Sequence, residues 1–221
     1  MISVHDAVLG RRSIRSFVDK VVDLAIVEKV LEEAAQAPSG MNMQPWRVHI
    51  VTGETKDQLS KAARDAAGAD NFSLEYDYVP NPLSEPYKTR RKKVGYDLYE
   101  KYGIARDDFA ARKEAMLRNY DFFGAPVGLF FVLEEAMAQG SWLDMGMYMQ
   151  NVMLLARGYG LETCPQQAWC DVGAVVHEVL GIPKGDILLS GMAIGYADIE
   201  APANSLVTER AGVDEFVTWH Q

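Results

Sequence analysis

The chain has 221 residues, 48% of them apolar and 24% charged, a globular composition that excludes wholesale disorder and suffices for one sizeable core. Its net charge of −9 excludes a general polyanion-binding role, so neither nucleic acid nor a membrane surface is expected as a partner. The N-terminus lacks a signal-peptide pattern and the longest uncharged apolar run, residues 125–133, is too short to span a bilayer, which reads as a cytoplasmic protein.

In chain order, Ser3 and Asp6 stand in capping-box-like spacing at the start of a short helix, with Gly10 as its stop. Asp23 caps a second helix whose Val27, Val30, Leu31 and Ala34 share one face before Pro38 ends it. Residues 46–52 alternate, with Trp46, Val48 and Ile50 set against Arg47, His49 and Val51, and predict a strand. A polar helix follows over about 54–67. From 68 to 86 the periodicity fails among Asn, Asp, Pro and Tyr, which reads as a long excursion of the kind that forms lids or binding elements. The run Arg90-Arg91-Lys92-Lys93 then opens a helical insert reaching about residue 123. Such a run is ordinarily a solvated face, with Arg90 or Arg91 a candidate for meeting an anionic substrate or cofactor.

Residues 127–133 form a continuous apolar run and predict a strand buried on both faces. Ser141 is placed to cap a helix that is apolar nearly all round, from Trp142 and Leu143 to Met153 and Leu155. A helix with no polar face needs a second covering surface, which a second copy of the chain would supply, with plain core packing of its methionines as the alternative. Gly158 and Gly160 end that helix, a strand starts at Leu161, Asp171 caps a helix stopped by Gly181 and Pro183, and 187–194 is a further buried strand. Together these elements predict an α+β fold, a mixed central sheet wrapped by helices in one domain spanning 1–221. The tail from Asn204 is too polar to fold alone and reads as an arm. Cys164 and Cys170 match neither a CxxC redox pair nor a zinc pattern, and read as buried thiols in a reducing compartment.

The chain contains no GxGxxG, GxxxxGK, HExxH or GxSxG motif, and its four histidines share no ligand spacing, so metal and hydrolase chemistry lack support. Two segments stand out. In Gly10-Arg11-Arg12-Ser13-Ile14-Arg15, three arginines on a turn repel one another unless carboxylates, solvent or a bound anion offset them. A phosphate suits their bidentate forks and the Ser13 hydroxyl, while a solvated basic turn is the plainer alternative. In the loop from Ala37 to Trp46, Ser39, Asn42 and Gln44 can present donors and acceptors to a planar heterocycle and Gly40 leaves room for a ring. An ordinary polar helix-to-strand loop is the alternative there.

In their order and separation these segments resemble the FMN-dependent nitroreductase family. The likeness lies in RRSIRSF, then APSGMNMQPW, then GYGLETCPQQ, GIP and SGMAIGYAD, with a closing TERAGVDEFVTWH. It implies a homodimer with FMN at the interface and NADH or NADPH as hydride donor. Arg11, Arg12, Ser13 and Arg15 would hold the phosphate and ribityl end, with Arg210 closing from the tail. Pro38, Ser39, Gly40, Asn42 and Gln44 would come from the other subunit. Pro165, Gln166 and Gln167 would pass the ring and offer backbone amides. Two positions depart from the family pattern. Leu206 and Val207 stand where relatives often carry a second basic residue, and Gln167-Ala168 where some have an acidic residue and a glycine.

Flavin carries its own redox chemistry, so the absence of an evident nucleophile or metal site is consistent with this likeness. The implied activity is ping-pong reduction of a small nitroaromatic to the nitroso and then the hydroxylamine level. Reduction of quinones, enones or free flavin and reductive dehalogenation are same-scaffold alternatives, and a non-catalytic flavin-binding protein is a remote one. Tyr120, Phe122 and Phe123 are either the wall of a substrate slot or core packing, and no residue is assigned as catalytic.

Overall fold

A computed structural model describes residues 2–220. The elements in order are α1 (Val4–Gly10), α2 (Leu24–Ala34), β1 (Arg47–Val51), α3 (Gly53–Gly68), α4 (Tyr87–Lys101), α5 (Phe109–Leu117), β2 (Val127–Leu133), α6 (Gly140–Gly158), β3 (Glu162–Gln166), α7 (Gly173–Leu180) and β4 (Ile187–Gly195). The four strands form one sheet in the order β1-β2-β4-β3. The α+β architecture with helices around a central sheet is as expected. The pairings inside the sheet, however, are antiparallel throughout, because the connections return each strand beside a neighbour of opposite direction rather than closing a parallel crossover.

Strand β2 is central and buried at every position, as its unbroken apolar run requires. Its residues divide between two cores. Phe130 and Val132 pack with Leu59, Phe122, Trp169 and Val176 on one face of the sheet. Val127, Leu129, Phe131 and Leu133 pack on the other face with Val27 and Val30 of α2 and Met145, Tyr148 and Val152 of α6. Gly191 of β4 admits the first core to the sheet: a Cβ there would lie 2.3 Å from Trp169 Cδ1.

Several local expectations are corrected. Ser141 lies inside α6 and its hydroxyl donates to Met137 Sδ at 3.6 Å, while the helix starts after Gln139 without a side-chain cap. Asp171 likewise precedes α7, whose N-cap is Val172, and burial raises its carboxyl pKa instead. Gly10 is the last residue of α1, as expected. A Cβ there would lie 2.4 Å from the Arg157 guanidinium, the end of a flexible side chain that would have to shift. β1 is an edge strand, so its alternation is only partly used: Val51 is buried and Ile50 exposed. Gly181, at φ 64°, ends α7 as expected.

The insert consists of α4, α5 and a 3-10 turn over Arg118–Gly124. The excursion before it is fastened to the sheet. Ser73 N donates to Asp171 O at 2.8 Å, Gly173 N to Ser73 O at 3.0 Å, and Tyr76 Oη to Leu189 O at 2.6 Å. The arm after Leu206 has a single short 3-10 turn (Val213–Glu215). It lies along α4, where Arg90 Nη2 meets Glu215 Oε2 at 2.9 Å and Lys93 Nζ meets Glu209 Oε1 at 3.3 Å.

Candidate functional site: a basic turn and a strained loop

The turn after α1 is laid against the edge of β3, where Ile14 N donates to Thr163 O at 3.0 Å. Asn204 staples the start of the arm to it. Its Oδ1 accepts from Arg15 N at 2.7 Å and its Nδ2 donates to Ser16 O at 2.8 Å. These bonds tie the start of the arm, which carries Arg210, to the basic turn that carries Arg11, Arg12 and Arg15. Burial, then the charge of Arg210, lowers the pKa of Arg11 below the usual guanidinium value, and the guanidinium remains charged near neutrality.

Arg118 of the insert joins the same cluster, donating from Nη2 to Arg15 O at 3.3 Å with its guanidinium 5.2 Å from the Tyr102 ring centroid. The Tyr102 hydroxyl is buried without a hydrogen-bond partner among the described residues. Ser13 interacts with Cys164, whose thiol is pushed up to about 11, chiefly by burial. Glu162 pairs through Oε1 with Arg157 at 3.0 Å, while its buried Oε2 has no hydrogen-bond partner among the described residues and its charge acts on Arg11. Among the described residues, Arg11, Arg12, Arg15, Arg118 and Arg210 form no ion pair with any carboxylate. The charge of Arg210 acts on Arg11 and neither is ion-paired, an arrangement suited to a bound anion.

The loop over 38–45 is held elsewhere, at the start of α6. Gly40 N donates to both oxygens of the buried Asp144 at 3.3 Å, and Ser39 Oγ accepts from Gln44 N at 3.0 Å. Met41, Asn42 and Gln44 adopt φ values of 51°, 56° and 49°, a left-handed conformation that non-glycine residues adopt at a cost and that clusters at ligand clamps. Pro38, Gly40, Asn42 and Gln44 are exposed and Ser39 is half-buried. Among the described residues no hydrogen bond joins this loop to the basic turn.

At the end of β3, Pro165 is accommodated in an edge strand. Gln166 is buried and donates from Nε2 to Asn119 O at 2.6 Å. Gln167 turns inward too, donating to the Tyr76 hydroxyl and to Leu189 O. Both Nε2 groups are thus committed to the protein, while Gln166 Oε1 is buried without a hydrogen-bond partner among the described residues. Tyr120, Phe122 and Phe123 resolve as core: all three are buried, Tyr120 Oη donates to Ala168 O at 3.1 Å, and the Phe122 ring lies 4.6 Å from that of Trp169. They are corrected from slot wall to packing because the turn over 118–124 directs them beneath the sheet. Arg118, Asn204 and Asp144 were not found from sequence, since each acts through a contact distant along the chain.

Among the described residues no cluster of side chains could hold a metal ion, and no helix is long and apolar enough to cross a membrane. A family model described as the Nitroreductase family matches residues 8–196. The chain is 35% identical to the nitrobenzene nitroreductase of Ectopseudomonas oleovorans, covering 98% of this chain and 96% of that one. It is 39% identical to the 4-nitrobenzoate reductase of Nocardioides sp. (strain LMS-CY), covering 99% and 90%. It superposes on the crystal structure of the FMN and NADPH-dependent nitroreductase NfnB from Sphigopyxis sp. strain HMH with a TM-score of 0.96 at 44% identity, covering 100% of both chains. This chain belongs to the nitroreductase family.

Proposed function

We propose that the chain is an FMN-dependent NAD(P)H oxidoreductase that reduces small nitroaromatic compounds. The observation that carries this reading is that the charge of Arg210 acts on the half-buried Arg11 while neither is paired with a carboxylate. Like charges gathered on folding favour an anion that offsets them, and the phosphate of FMN fits their donor set. Arg11, Arg12, Arg15, Ser13 and Arg210 would hold the phosphate and ribityl end, and the backbone of 165–167 would face the ring. When bound, FMN supplies the hydride chemistry. The protein contributes orientation and a fixed field of dipoles and charges. The names of the relatives support nitroaromatic substrates, and NfnB supports NADPH as a donor.

The working unit in this reading is a homodimer. The strained loop and the basic turn are separate in one chain, so a site using both requires the loop of a second copy. The outer face of α6 supports the same arrangement: Leu143 and Met147 are exposed there, as are Met41 and Met43 of the loop, an apolar surface that water does not favour. The chain in this reading is one domain, residues 1–221, acting in the cytoplasm.

The test is anaerobic. The FMN-loaded protein is mixed with NADH or NADPH and the flavin absorption is followed, then a nitroaromatic is added. Bleaching followed by recovery is expected. Bleaching without recovery would move the assignment to quinones or halogenated phenols, and protein that takes up no FMN would overturn the cofactor.

A further inference from the structure

The basic run of the insert divides between two faces of α4. At about 3.6 residues per turn, Arg90 and Lys93 fall on one side, and Lys88, Arg91, Lys92 and Tyr96 on the other. The first pair is taken by the arm, through Glu215 and Glu209. The second group faces a cavity of about 610 Å³ between residues 81–83, α4 and α5. Its wall holds four cations, Lys88, Arg91, Lys92 and Arg112, two tyrosines, Tyr96 and Tyr99, and no aspartate or glutamate.

None of these four cations forms an ion pair with a carboxylate among the described residues. The next basic residue of the same helix, Lys93, differs in meeting Asp97 at 2.7 Å. The rings order part of the cluster: Arg112 lies 4.5 Å from the Tyr99 centroid and Arg106 4.5 Å from that of Tyr96. Four cations around one hollow repel one another and favour an anion. Rings in the same wall favour an anion carried on a flat group.

We infer that this hollow is a second binding site, across α4 from Arg210, for an anionic group borne on a flat ring, either a nucleoside phosphate or an aryl carboxylate. The phosphorylated adenosine half of a dinucleotide and the carboxylate of a charged nitroarene present the same chemistry. The use of the site in turnover rests on the flavin reading; the binding itself does not.

The test is isothermal titration of the full-length, FMN-reconstituted protein with 2′,5′-ADP and, separately, with 4-nitrobenzoate. The same titrations are run on a Lys88→Gln/Arg91→Gln double variant. Both of those side chains are exposed and make no hydrogen bond among the described residues, so the fold is expected to survive, as melting would verify. Arg91→Gln alone substitutes if the double variant melts early. At least one ligand is expected to bind the wild type and to bind the variant about tenfold more weakly, with a difference that shrinks as salt is raised. An effect confined to 2′,5′-ADP assigns the hollow to the dinucleotide, and one confined to 4-nitrobenzoate assigns it to the substrate. Equal affinities in the two proteins, or no binding of either ligand to the wild type, overturn the inference. Protein that takes up no FMN overturns the flavin reading instead. The wild-type and variant proteins are then compared without flavin, where the difference still isolates this face of α4.

Discussion

Replacing Arg11 by glutamine tests the anion site most directly. Two quantities change in opposite directions. In the ligand-free protein Arg11 is half-buried, and burial first, then repulsion from Arg210, leaves its charged form disfavoured on balance despite the attraction of Glu162. Removing its charge relieves that burial penalty and the repulsion, so the apo-protein is expected to melt at the wild-type temperature or slightly above. In the FMN complex the same change removes charge-assisted hydrogen bonds to a phosphate in a partly desolvated place. These contribute about 1.5–3 kcal/mol, equivalent to about 10- to 150-fold in Kd. Quenching of FMN fluorescence measures the affinity, and scanning calorimetry of the apo-protein measures the stability. A Kd within about threefold of wild type would refute the placement of phosphate at Arg11. A fall in apo melting temperature accompanying the loss of affinity would show instead that Arg11 supports the fold.

The latch between insert and arm is exposed, so each ion pair contributes only about 0.2–1 kcal/mol. Arg90→Glu is expected to weaken FMN binding by up to about fivefold by loosening the arm that carries Arg210, and Arg90→Glu/Glu215→Arg to restore it; a swap without recovery would dismiss the latch. Gly191→Ala drives a Cβ to 2.3 Å from the fully buried Trp169 and is expected to cost about 1–3 kcal/mol in urea unfolding, whereas an unchanged midpoint would mean that Trp169 shifts freely. Burial pushes the thiols of Cys164 and Cys170 up to about 11 and about 12 from 9.0. A thiol-reactive dye at pH 8 should therefore label neither residue until guanidinium unfolds the chain, and labelling of native protein would contradict their burial. Because the folded value of Cys164 is the higher one, its stabilising contribution is complete below pH 9 and is lost as pH rises towards 11, so Cys164→Ala should flatten the decline in stability there. Sedimentation is expected to give a dimer for the wild type and a monomer for Leu143→Asp, whose side chain is 73% exposed in one chain; a monomeric wild type would remove the shared site.

Much of this protein was determined by residues close together in the chain. The unbroken apolar run of β2 permits burial on both faces only, the period of α2 places Val27, Val30 and Ala34 on one side, and Gly181 marks the left-handed end of α7. The two segments that carry the family likeness are legible for the same reason: their arginines, amides and small residues act as local clusters. Tertiary structure decided which of those groups remain free. Gln166 and Gln167 are of the right type for a ligand, but their side chains bond Asn119, Tyr76 and Leu189. Tyr120, Phe122 and Phe123 could have lined a slot and instead pack under the sheet. The fate of Ser141 and Asp171 as caps depended on where the helix backbones began. Arg15 meets Asn204 across 189 positions of sequence, and the charge of Arg210 comes to act on Arg11. Such partners obey no period, because a side chain's hydrogen bonds and charge neighbours are set by distance in space, which only the assembled fold supplies.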